Sequence, residues 1–454
     1  MNALAPLIVS AAVVCLSSAV PASAAAVEAT SLSALQTSLD TARAGDSVVL
    51  ADGDYPTGVI TIRRSGTAGA PITITAAHGG RARIGGTAGF VFADGVHHVV
   101  LRGFDFRQSG PLTVPATAKA VRITRNTFQS NAEGNWVTVD GDDTEVDHNT
   151  FQNHSKAGVF LQISGPGSEI AKRTWIHHNH FYNHTFAGSN GGESIRLGYS
   201  HKQAKSANAI VEHNLFEKAN GDAEAISVKS SDNVVRYNTI RQSRGFIVLR
   251  HGNRSVVEGN LLFGSGIRFH GNDHKIVNNY VANSGTGRAV VFGSGSEADS
   301  GPTSKEHDRP DRVTVAFNTL LGTSAVIDSD GGAFQPKDCV VANNIVQGTS
   351  GKLVDMTSGA TVRYEGNILW GATAGIPNGY RSVDPKLAQD SAGLRRLTAG
   401  SPAVNTSTGS YPYAGKDFDL QTRSGTFDVG ADEYAASGAT RKPLTTADVG
   451  PKAP

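Results

Sequence analysis

Residues 211–240 read VEHNLFEKANGDAEAISVKSSDNVVRYNTI, and this stretch contains one short pattern twice, as VEHNLF and VRYNTI. In each copy an asparagine stands between two apolar residues, one three positions before it and one two positions after it. The β-branched and aromatic residues of the pattern favour strands over helices. Asn214 and Asn238 are 24 residues apart, so the stretch predicts a unit of strand and corner that returns at this interval.

The same pattern occurs ten times along the chain, with a base spacing near 22–24 residues and occasional longer gaps. The asparagines are Asn126, Asn149, Asn179, Asn214, Asn238, Asn260, Asn279, Asn318, Asn344 and Asn367. Repeats of this period are typical of solenoids. We therefore predict an all-β fold, a right-handed parallel β-helix with loop insertions. A β-propeller is the alternative, but its blades of about 40–45 residues fit these spacings poorly.

Each asparagine of the repeat is expected to be structural rather than catalytic. Asparagine tolerates the left-handed backbone conformation, which allows a strand to turn a corner. Its amide can also hydrogen-bond the equivalent amide one coil above, so the repeats predict a ladder of asparagines along the solenoid.

The repeat also indicates the domain organisation. We predict one β-helix domain over residues 25–436, interrupted by insertions at 180–208 and 294–312, where a regular solenoid commonly places its function. Residues 380–436 lack the asparagine pattern, and we expect a loop-rich part there that packs on the last coils. The small and polar residues of 437–454 predict a disordered tail.

The N-terminal segment resembles an export signal. Residues 1–24 contain no charged residue, are apolar through 7–14 and end on the small residues Ala22-Ser23-Ala24. This pattern predicts a signal peptide, and the apolar run is too short to span a bilayer. The absence of a basic residue near Met1 leaves an apolar N-terminus without a targeting role as the alternative. We expect a secreted or periplasmic protein.

Cysteine content and charge narrow the class further. Cys15 lies in the predicted signal peptide, so Cys339 is the only cysteine of the mature chain and no intrachain disulfide can form. The formal net charge is +1, so binding a polyanion would need a local basic groove. We expect a monomer that binds neither nucleic acid nor membranes.

Four of the charged residues in the segment 222–250 predict a site. Asp222 and Glu224 alternate as they would on one face of a strand, and Lys229 follows Glu224 by five residues. Arg250 follows Lys229 by 21 residues, so the two should stack on neighbouring coils. Two acids suited to a hard cation would then share one patch with a lysine and an arginine.

The sequence resembles polysaccharide lyase family six, the group of alginate lyases and chondroitinase B. The resemblance covers most of the mature chain, with the lysine, arginine and acidic motifs in the family's order and spacing. It rests on NGGESIRLG (190–198), EAISVKSSDNVVRYNT (224–239), LRHGN (249–253), GIRFHGNDHKIVNNY (266–280) and DVGADEY (428–434).

The resemblance implies a role for each matching residue. It assigns the catalytic base to Lys229 and the catalytic acid to Arg250. It assigns calcium ligands to Asn190, Asp222 and Glu224, with Glu193 as a nearby candidate. The family more often has a glutamate where this chain has Asp222, whose shorter side chain could require a bridging water.

Three further residues are candidates for binding substrate. His251 lies beside Arg250, with a structural histidine as the alternative. Arg196 and Arg268 lie near the site by coil register, and arginines grip carboxylates in two-point fashion. Plain surface charge is the alternative for each arginine.

The implied reaction is β-elimination in a uronic-acid polymer, which removes the C5 proton and expels the C4-linked oxygen. Calcium on the substrate carboxylate would offset the negative charge that develops, and Lys229 would have to be neutral. Since a guanidinium is effectively always protonated, Arg250 either donates the proton or stabilises charge on the leaving oxygen. The resemblance implies alginate as substrate, with mannuronate-containing links preferred, and dermatan sulfate as the alternative.

Other functions remain open on sequence alone. Gly141-Asp142-Asp143 superficially suits a polygalacturonase-type hydrolase, which uses paired carboxylates, but the turn-like context and missing partner motifs favour the lyase. A β-helix that only binds glycans would explain the repeat and leave the charged residues as coincidence. His177, His178 and His180 could suggest a metal site, but their place in the repeat favours a structural role.

Overall fold

A computed structural model describes residues 27–435 and 441–454, apart from residues 88, 284, 286, 300, 302 and 303. The predicted signal peptide at 1–24 therefore lies outside the described residues. None of the helices in the described part of the chain has both the length and the apolar character needed to span a bilayer.

Three long sheets form the body of the protein, and neighbouring strands in each sheet run parallel. Each full coil contributes one strand to each sheet in the order C, A, B. Sheet A has 14 strands: Val27–Ala29, Ser47–Leu50, Ile72–Ala76, His97–Arg102, Lys119–Thr124, Glu145–Asp147, Trp175–His177, Ile210–Glu212, Val234–Arg236, Val256–Glu258, Lys275–Val277, Thr314–Ala316, Cys339–Ala342 and Val362–Glu365. Sheet B has 14 strands: Gly53–Tyr55, Ala82–Ile84, Asp105–Phe106, Thr127–Phe128, Thr150–His154, His180–His184, Leu215–Ala219, Thr239–Arg241, Leu261–Phe263, Tyr280–Ala282, Thr319–Leu321, Ile345–Gln347, Asn367–Trp370 and Tyr380–Arg381.

Sheet C has ten strands and carries the candidate site. Its strands are Leu112–Val114, Val137–Val139, Leu161–Ile163, Ile195–Gly198, Glu224–Lys229, Phe246–His251, Ile267–Phe269, Val290–Phe292, Ile327–Ser329 and Val354–Asp355. Two small pairs complete the strands: Ile60–Ile62 with Phe90–Phe92, and Ala388–Gln389 with Arg395–Arg396. The short 3₁₀ helices are Ser200–Lys202 and Pro412–Ala414. The predicted parallel β-helix is confirmed.

The asparagine ladder lies at the corner between sheets A and B. All ten side chains are fully buried, and nine amide–amide hydrogen bonds of 2.9–3.1 Å link them coil to coil. The left-handed conformation, however, falls on the residue before each asparagine, as at His213 with φ 52° and Tyr237 with φ 57°. The asparagine supplies the hydrogen bonds of the corner, and its neighbour supplies the turn.

The second apolar residue of the repeat builds the interior of sheet B. Phe128, Phe151, Phe181 and Phe216 occupy this position, and Phe106 from the preceding coil extends the same stack, with ring centroids 4.8–5.0 Å apart and planes within 12° of parallel. This spacing is that of neighbouring strands. One position of the sequence pattern therefore forms one continuous column of the core.

The solenoid begins well before the first asparagine of the repeat. A helix, Leu32–Thr41, lies at its N-terminal end, where Ser31 caps the helix by accepting a hydrogen bond from the N–H of Ala34. Leu35 and Leu39 are buried against the first coils. The sequence pattern did not predict this helix, which covers the open end of the sheets and so protects their edge.

The C-terminal part lies along the solenoid. Leu394 and Phe418 pack with Tyr280, and Leu397 and Val429 pack with sheet-B residues of later coils. The tail expected to be disordered instead packs against the corner between sheets A and B over 441–454, while residues 436–440 lie outside the described residues. Arginine hydrogen bonds and the buried side chains of Val449 and Ala453 hold this segment, and composition alone does not indicate these contacts.

Candidate active site

Six of the nine candidate site residues lie on four consecutive strands of sheet C, whereas Asn190, Glu193 and Asp222 lie in the segments that lead into two of these strands. Inward-facing side chains of these strands are fully buried: Ile195, Leu197, Ile226, Val228, Ile247, Leu249, Ile267 and Phe269. The alternate positions face outward and pair in register, from Arg196 through Ser227 and Val248 to Arg268. The period-two alternation of a strand thus places predicted charged residues on one outer surface.

A β-bulge separates Lys229 from direct pairing with Arg250. Val228 pairs with Leu249, but Lys229 pairs with His251, so Arg250 is the extra residue. The expected stacking of Lys229 on Arg250 is therefore corrected to stacking on His251, although the two lie on neighbouring coils as predicted. A bulge re-aims a side chain, and the Nη1 of Arg250 lies 2.8 Å from the Oε1 of Glu224.

The environment of Lys229 favours its neutral form. The residue is 7% exposed, and its Nζ lies 3.6 Å from the Oε1 of Glu193. Burial lowers the pKa of Lys229 below the ordinary 10.5, and the charges of Arg196 and Arg250 lower it further, against opposing contributions from Glu193 and Glu224. Desolvation and like charge outweigh attraction here.

Glu193 and Arg196 form a tight pair behind this lysine. The guanidinium donates to both carboxylate oxygens of Glu193 over 2.9 and 2.6 Å. Burial raises the pKa of Glu193, but the hydrogen bonds and charge of Arg196 outweigh it and the net pKa is lowered. A metal ion at Glu193 would have to compete with this guanidinium, and a substrate carboxylate at Arg196 would have to compete with Glu193.

Asp222 and Glu224 offer free carboxylate oxygens. The residues are 2% and 7% exposed, and among the described residues neither the Oδ2 of Asp222 nor the Oε2 of Glu224 has a hydrogen-bond partner. Burial, followed by the charges of Glu193 and Glu224, raises the pKa of Asp222. Buried polar atoms are nearly always partnered, so these two oxygens fit a hard cation such as calcium.

Asn190 lies on the insertion that follows the sheet-B strand His180–His184. It is exposed and stands two positions before Gly192, whose backbone N–H bonds Asp222. Asn190 is thus two residues away from a backbone N–H that hydrogen-bonds Asp222.

The histidines of the repeat are engaged elsewhere. His177 Nε2 lies 3.1 Å from Glu145 Oε1, and His180 Nε2 lies 2.8 Å from Glu217 Oε2. The ligand atoms of Asp147, His148 and His177 lie within 4.8 Å of one another. Because Arg122 already binds both oxygens of Asp147 at 2.8 Å, this group is held as an ion-pair network.

A stack of three imidazoles borders the site, and sequence reasoning identified only one of them. His307, from the 294–312 insertion, lies between His251 and His270 with ring centroids 4.7 and 4.5 Å away. His251 also contacts the carbonyl of Glu306 through Nδ1 at 3.0 Å. Burial lowers the pKa of His251 to about 3 and of His307 to about 4, with neighbouring charges adding to the shift. The three histidines are far apart in the sequence, and only the fold brings their rings together.

A groove of about 700 Å³ runs over sheet C beside these residues. Its charged lining comprises Glu224, Arg244, Arg268, Arg288 and Asp330. Arg268 was predicted from sequence, whereas Arg244, Arg288 and Asp330 were missed because each lies just outside a strand and in no motif. Three arginines against two acids give this lining a small net positive charge, which favours an anionic ligand.

Comparisons with known proteins agree with this arrangement. A family model described as Chondroitinase B matches residues 29–352, and no curated protein sequence matches the chain. A solved variant of AlyGC, described as a PL6 family alginate lyase, is 25% identical with a TM-score of 0.74, covering 83% of this chain and 56% of that one. This chain therefore spans little more than half the length of that enzyme.

Two further solved structures extend the comparison. A mannuronic acid specific polysaccharide family 6 lyase from human gut microbiota is 25% identical with a TM-score of 0.69, covering 79% of this chain and 91% of that one. A PL6 family polysaccharide lyase from Pseudopedobacter saltans, 19% identical with a TM-score of 0.65 over 94% of this chain and 99% of that one, shares the fold. With a family match over most of its length, a parallel β-helix and the motif residues on one sheet, the chain belongs to the chondroitinase B group, polysaccharide lyase family six.

Proposed function

We propose that this protein is a secreted, monomeric polysaccharide lyase that cleaves alginate by calcium-assisted β-elimination. The observation that carries the proposal is Lys229, a buried lysine with a lowered pKa on the sheet that forms a cationic groove. The export-like sequence of residues 1–24 supports secretion.

Lys229 is proposed as the base that removes the C5 proton. A lysine can accept a proton only when neutral, and burial beside Arg196 favours that state. Glu193 holds Arg196 in place through two hydrogen bonds. Arg196 therefore lowers the pKa of the base. Its own charge is balanced by Glu193.

Arg250 is proposed to stabilise the oxygen that leaves C4. Its ion pair with Glu224 fixes the guanidinium near the lysine, and its permanent charge favours a developing oxyanion. His251 and Arg268 are proposed to contact the substrate, since both lie on the strands beside Lys229.

Calcium fits the free oxygens of Asp222 and Glu224, with Asn190 as a further proposed ligand. The chemistry it supplies when bound is Lewis-acid neutralisation of the substrate carboxylate next to C5. Glu193 is the weaker candidate because Arg196 engages both of its oxygens.

Alginate is the proposed substrate, with mannuronate-containing links preferred. Of the two relatives described above at 25% identity, one is described as an alginate lyase and the other as mannuronic acid specific. A formal net charge of +1 also suits an unsulfated polymer better than a sulfated one. The family description keeps dermatan sulfate as the second candidate.

An ultraviolet absorbance assay, combined with chelation and two variants of Lys229, tests this proposal. The purified protein should produce the ultraviolet absorbance of a new C4–C5 double bond from polymannuronate and mixed alginate, more slowly from polyguluronate and least from dermatan sulfate. Chelation should lower the rate and added calcium should restore it. Lys229→Ala and Lys229→Arg should each lose at least about a hundredfold, because an arginine cannot become neutral, and circular dichroism should show both variants folded.

Each other outcome points to a different function. New reducing ends without absorbance would indicate a hydrolase, and binding without either would indicate a glycan-binding protein. Absorbance from dermatan sulfate alone would retain the lyase and replace the substrate. Near-normal turnover by folded Lys229→Ala would defeat the assignment of the base.

A further inference from the structure

Asp330 lies between two arginines in the groove. Its Oδ2 is 2.7 Å from the Nη2 of Arg268, and its Oδ1 is 2.8 Å from the Nη2 of Arg288. The three residues come from successive coils, on or beside the strands Ile267–Phe269, Val290–Phe292 and Ile327–Ser329. One carboxylate thus bridges two cations that would otherwise both face an anionic ligand.

The bridge neutralises one end of the groove. Asp328 adds a second contact of 2.5 Å to the Nε of Arg288, so two aspartates balance two arginines there. Arg244, which also lines the groove, donates instead to the uncharged carbonyl of Gly188 at 2.7 Å. Asp330 is three strands along from the Arg250 strand, about 14 Å at ordinary strand spacing, so the neutralised end is remote from the proposed chemistry.

Only the Nη2 of Arg268 takes part in this bridge. Within the described part of the chain its Nε is buried and has no hydrogen-bond partner, although its Nη2 is bound to Asp330. A guanidinium binds a carboxylate best through two parallel N–H donors, here Nε and Nη2. A substrate carboxylate on this edge would compete with Asp330 for Nη2 and leave Asp330 to Arg288.

We infer that Asp330 is a displaceable counter-ion that sets the affinity of this groove for the carboxylates of its substrate. It offsets the charges of Arg268 and Arg288 until a substrate carboxylate takes its place on Arg268. Any polyanion must therefore displace an internal carboxylate before it binds here, which lowers its affinity. This inference rests on the proposed function and deepens it by assigning control of substrate affinity to one residue.

Asp330→Asn tests the inference because it removes the charge and keeps the shape. We expect the KM for polymannuronate to fall about threefold to tenfold, with kcat changed less than twofold and with a steeper dependence on salt. Inhibition by dermatan sulfate, whose charge per sugar is similar to that of alginate, should strengthen by a comparable factor. Calorimetric titration of both polymers gives the same comparison without turnover.

Asp273→Asn is the matched control. Asp273 forms an equivalent pair with Arg312, at 2.8 and 2.9 Å, on residues that are not part of the groove lining. This variant should leave both affinities unchanged. The inference is overturned if Asp330→Asn weakens the binding of both polymers, which would make Asp330 a residue that merely positions the arginines, or if it leaves both affinities unchanged. A wild-type protein without lyase activity would defeat the proposed function, while titration would still decide the role of Asp330.

Discussion

At the scale of single residues, the protonation of Lys229 depends on which of its neighbours dominates. The pKa of this lysine lies below the ordinary 10.5. In the structure burial contributes most, and Arg196 follows ahead of Arg250. Glu193 and Glu224 act in the opposite direction, and Glu193 contributes more than Glu224 or Arg250.

Arg196→Gln should raise the pKa of Lys229 toward its ordinary value. The variant removes the positive charge beside the lysine and also releases the carboxylate of Glu193, and both changes favour the ammonium form. Since a base acts only when deprotonated, the acid limb of kcat/KM against pH should move to higher pH. Arg196→Lys keeps a charge and should move the limb less. An acid limb that stays in place in Arg196→Gln would show that Arg196 does not tune the lysine.

The predictability of the site differs from residue to residue. Lys229 and Arg250 could be found from sequence because coil spacing places residues about one period apart on neighbouring strands. The pairing of Arg250 with Glu224 could not, because it depends on a bulge that shifts the register by one residue. His307 and Asp330 were likewise beyond prediction, since insertions and strand ends follow no period.

At the scale of elements, the corner between sheets A and B divides two tasks between adjacent residues. Asn214 accepts from the N–H and the side-chain amide of Asn179, and its own Nδ2 donates to Asn238. The preceding residue, His213, takes the left-handed conformation. Sequence predicted the ladder correctly and placed the turn one residue late, because asparagine is suited to both tasks and spacing alone cannot separate them.

Asn214→Ala should destabilise the fold by about 2–4 kcal/mol. The substitution leaves the backbone N–H of Asn179 buried without its acceptor, and such an unsatisfied group costs about 1–3 kcal/mol. It also removes the hydrogen bonds that the Asn214 amide donates to the carbonyls of Ile176 and Glu212. Gln152→Ala is the control, since Gln152 also bonds an amide one coil away, that of Gln129 at 2.9 Å, but at a partly exposed position. Chemical denaturation should show a much smaller loss for the control. Equal losses in the two variants would contradict a special role for the buried ladder.

At the scale of the whole molecule, the last residues connect distant coils. Arg441 donates to the carbonyls of Gly259 and Phe418, and the N–H of Leu444 donates to Thr239 at 2.9 Å. Further along, the N–H of Gly450 donates to the carbonyl of His178 at 2.8 Å. The segment therefore runs back along the solenoid toward its N-terminal half, so that residues far apart in sequence are linked.

The end of this segment is also fixed. Arg125 donates to the carbonyls of Pro451 and Ala453, over 3.1 and 2.6 Å, and Val449 and Ala453 are 3% exposed. In a solenoid each coil otherwise contacts only its neighbours. Residues 441–453 contact both the coil of Gly259 and that of Arg125. These long-range contacts should make unfolding of the intervening coils more cooperative.

Deleting residues 441–454 should therefore lower the melting temperature and broaden the transition. We expect a fall of about 2 °C or more, because the lost hydrogen bonds expose the carbonyls and Arg125 at the corner and each kcal/mol is worth about 2–4 °C in a large domain. Arg441→Ala in the full-length chain should give part of this loss, which separates the effect of the bonds from that of shortening the chain. Lyase activity at a low assay temperature should be unchanged, since these contacts lie at the corner between sheets A and B and not on sheet C. Melting curves that coincide with and without the segment would instead support the disordered tail that composition predicts.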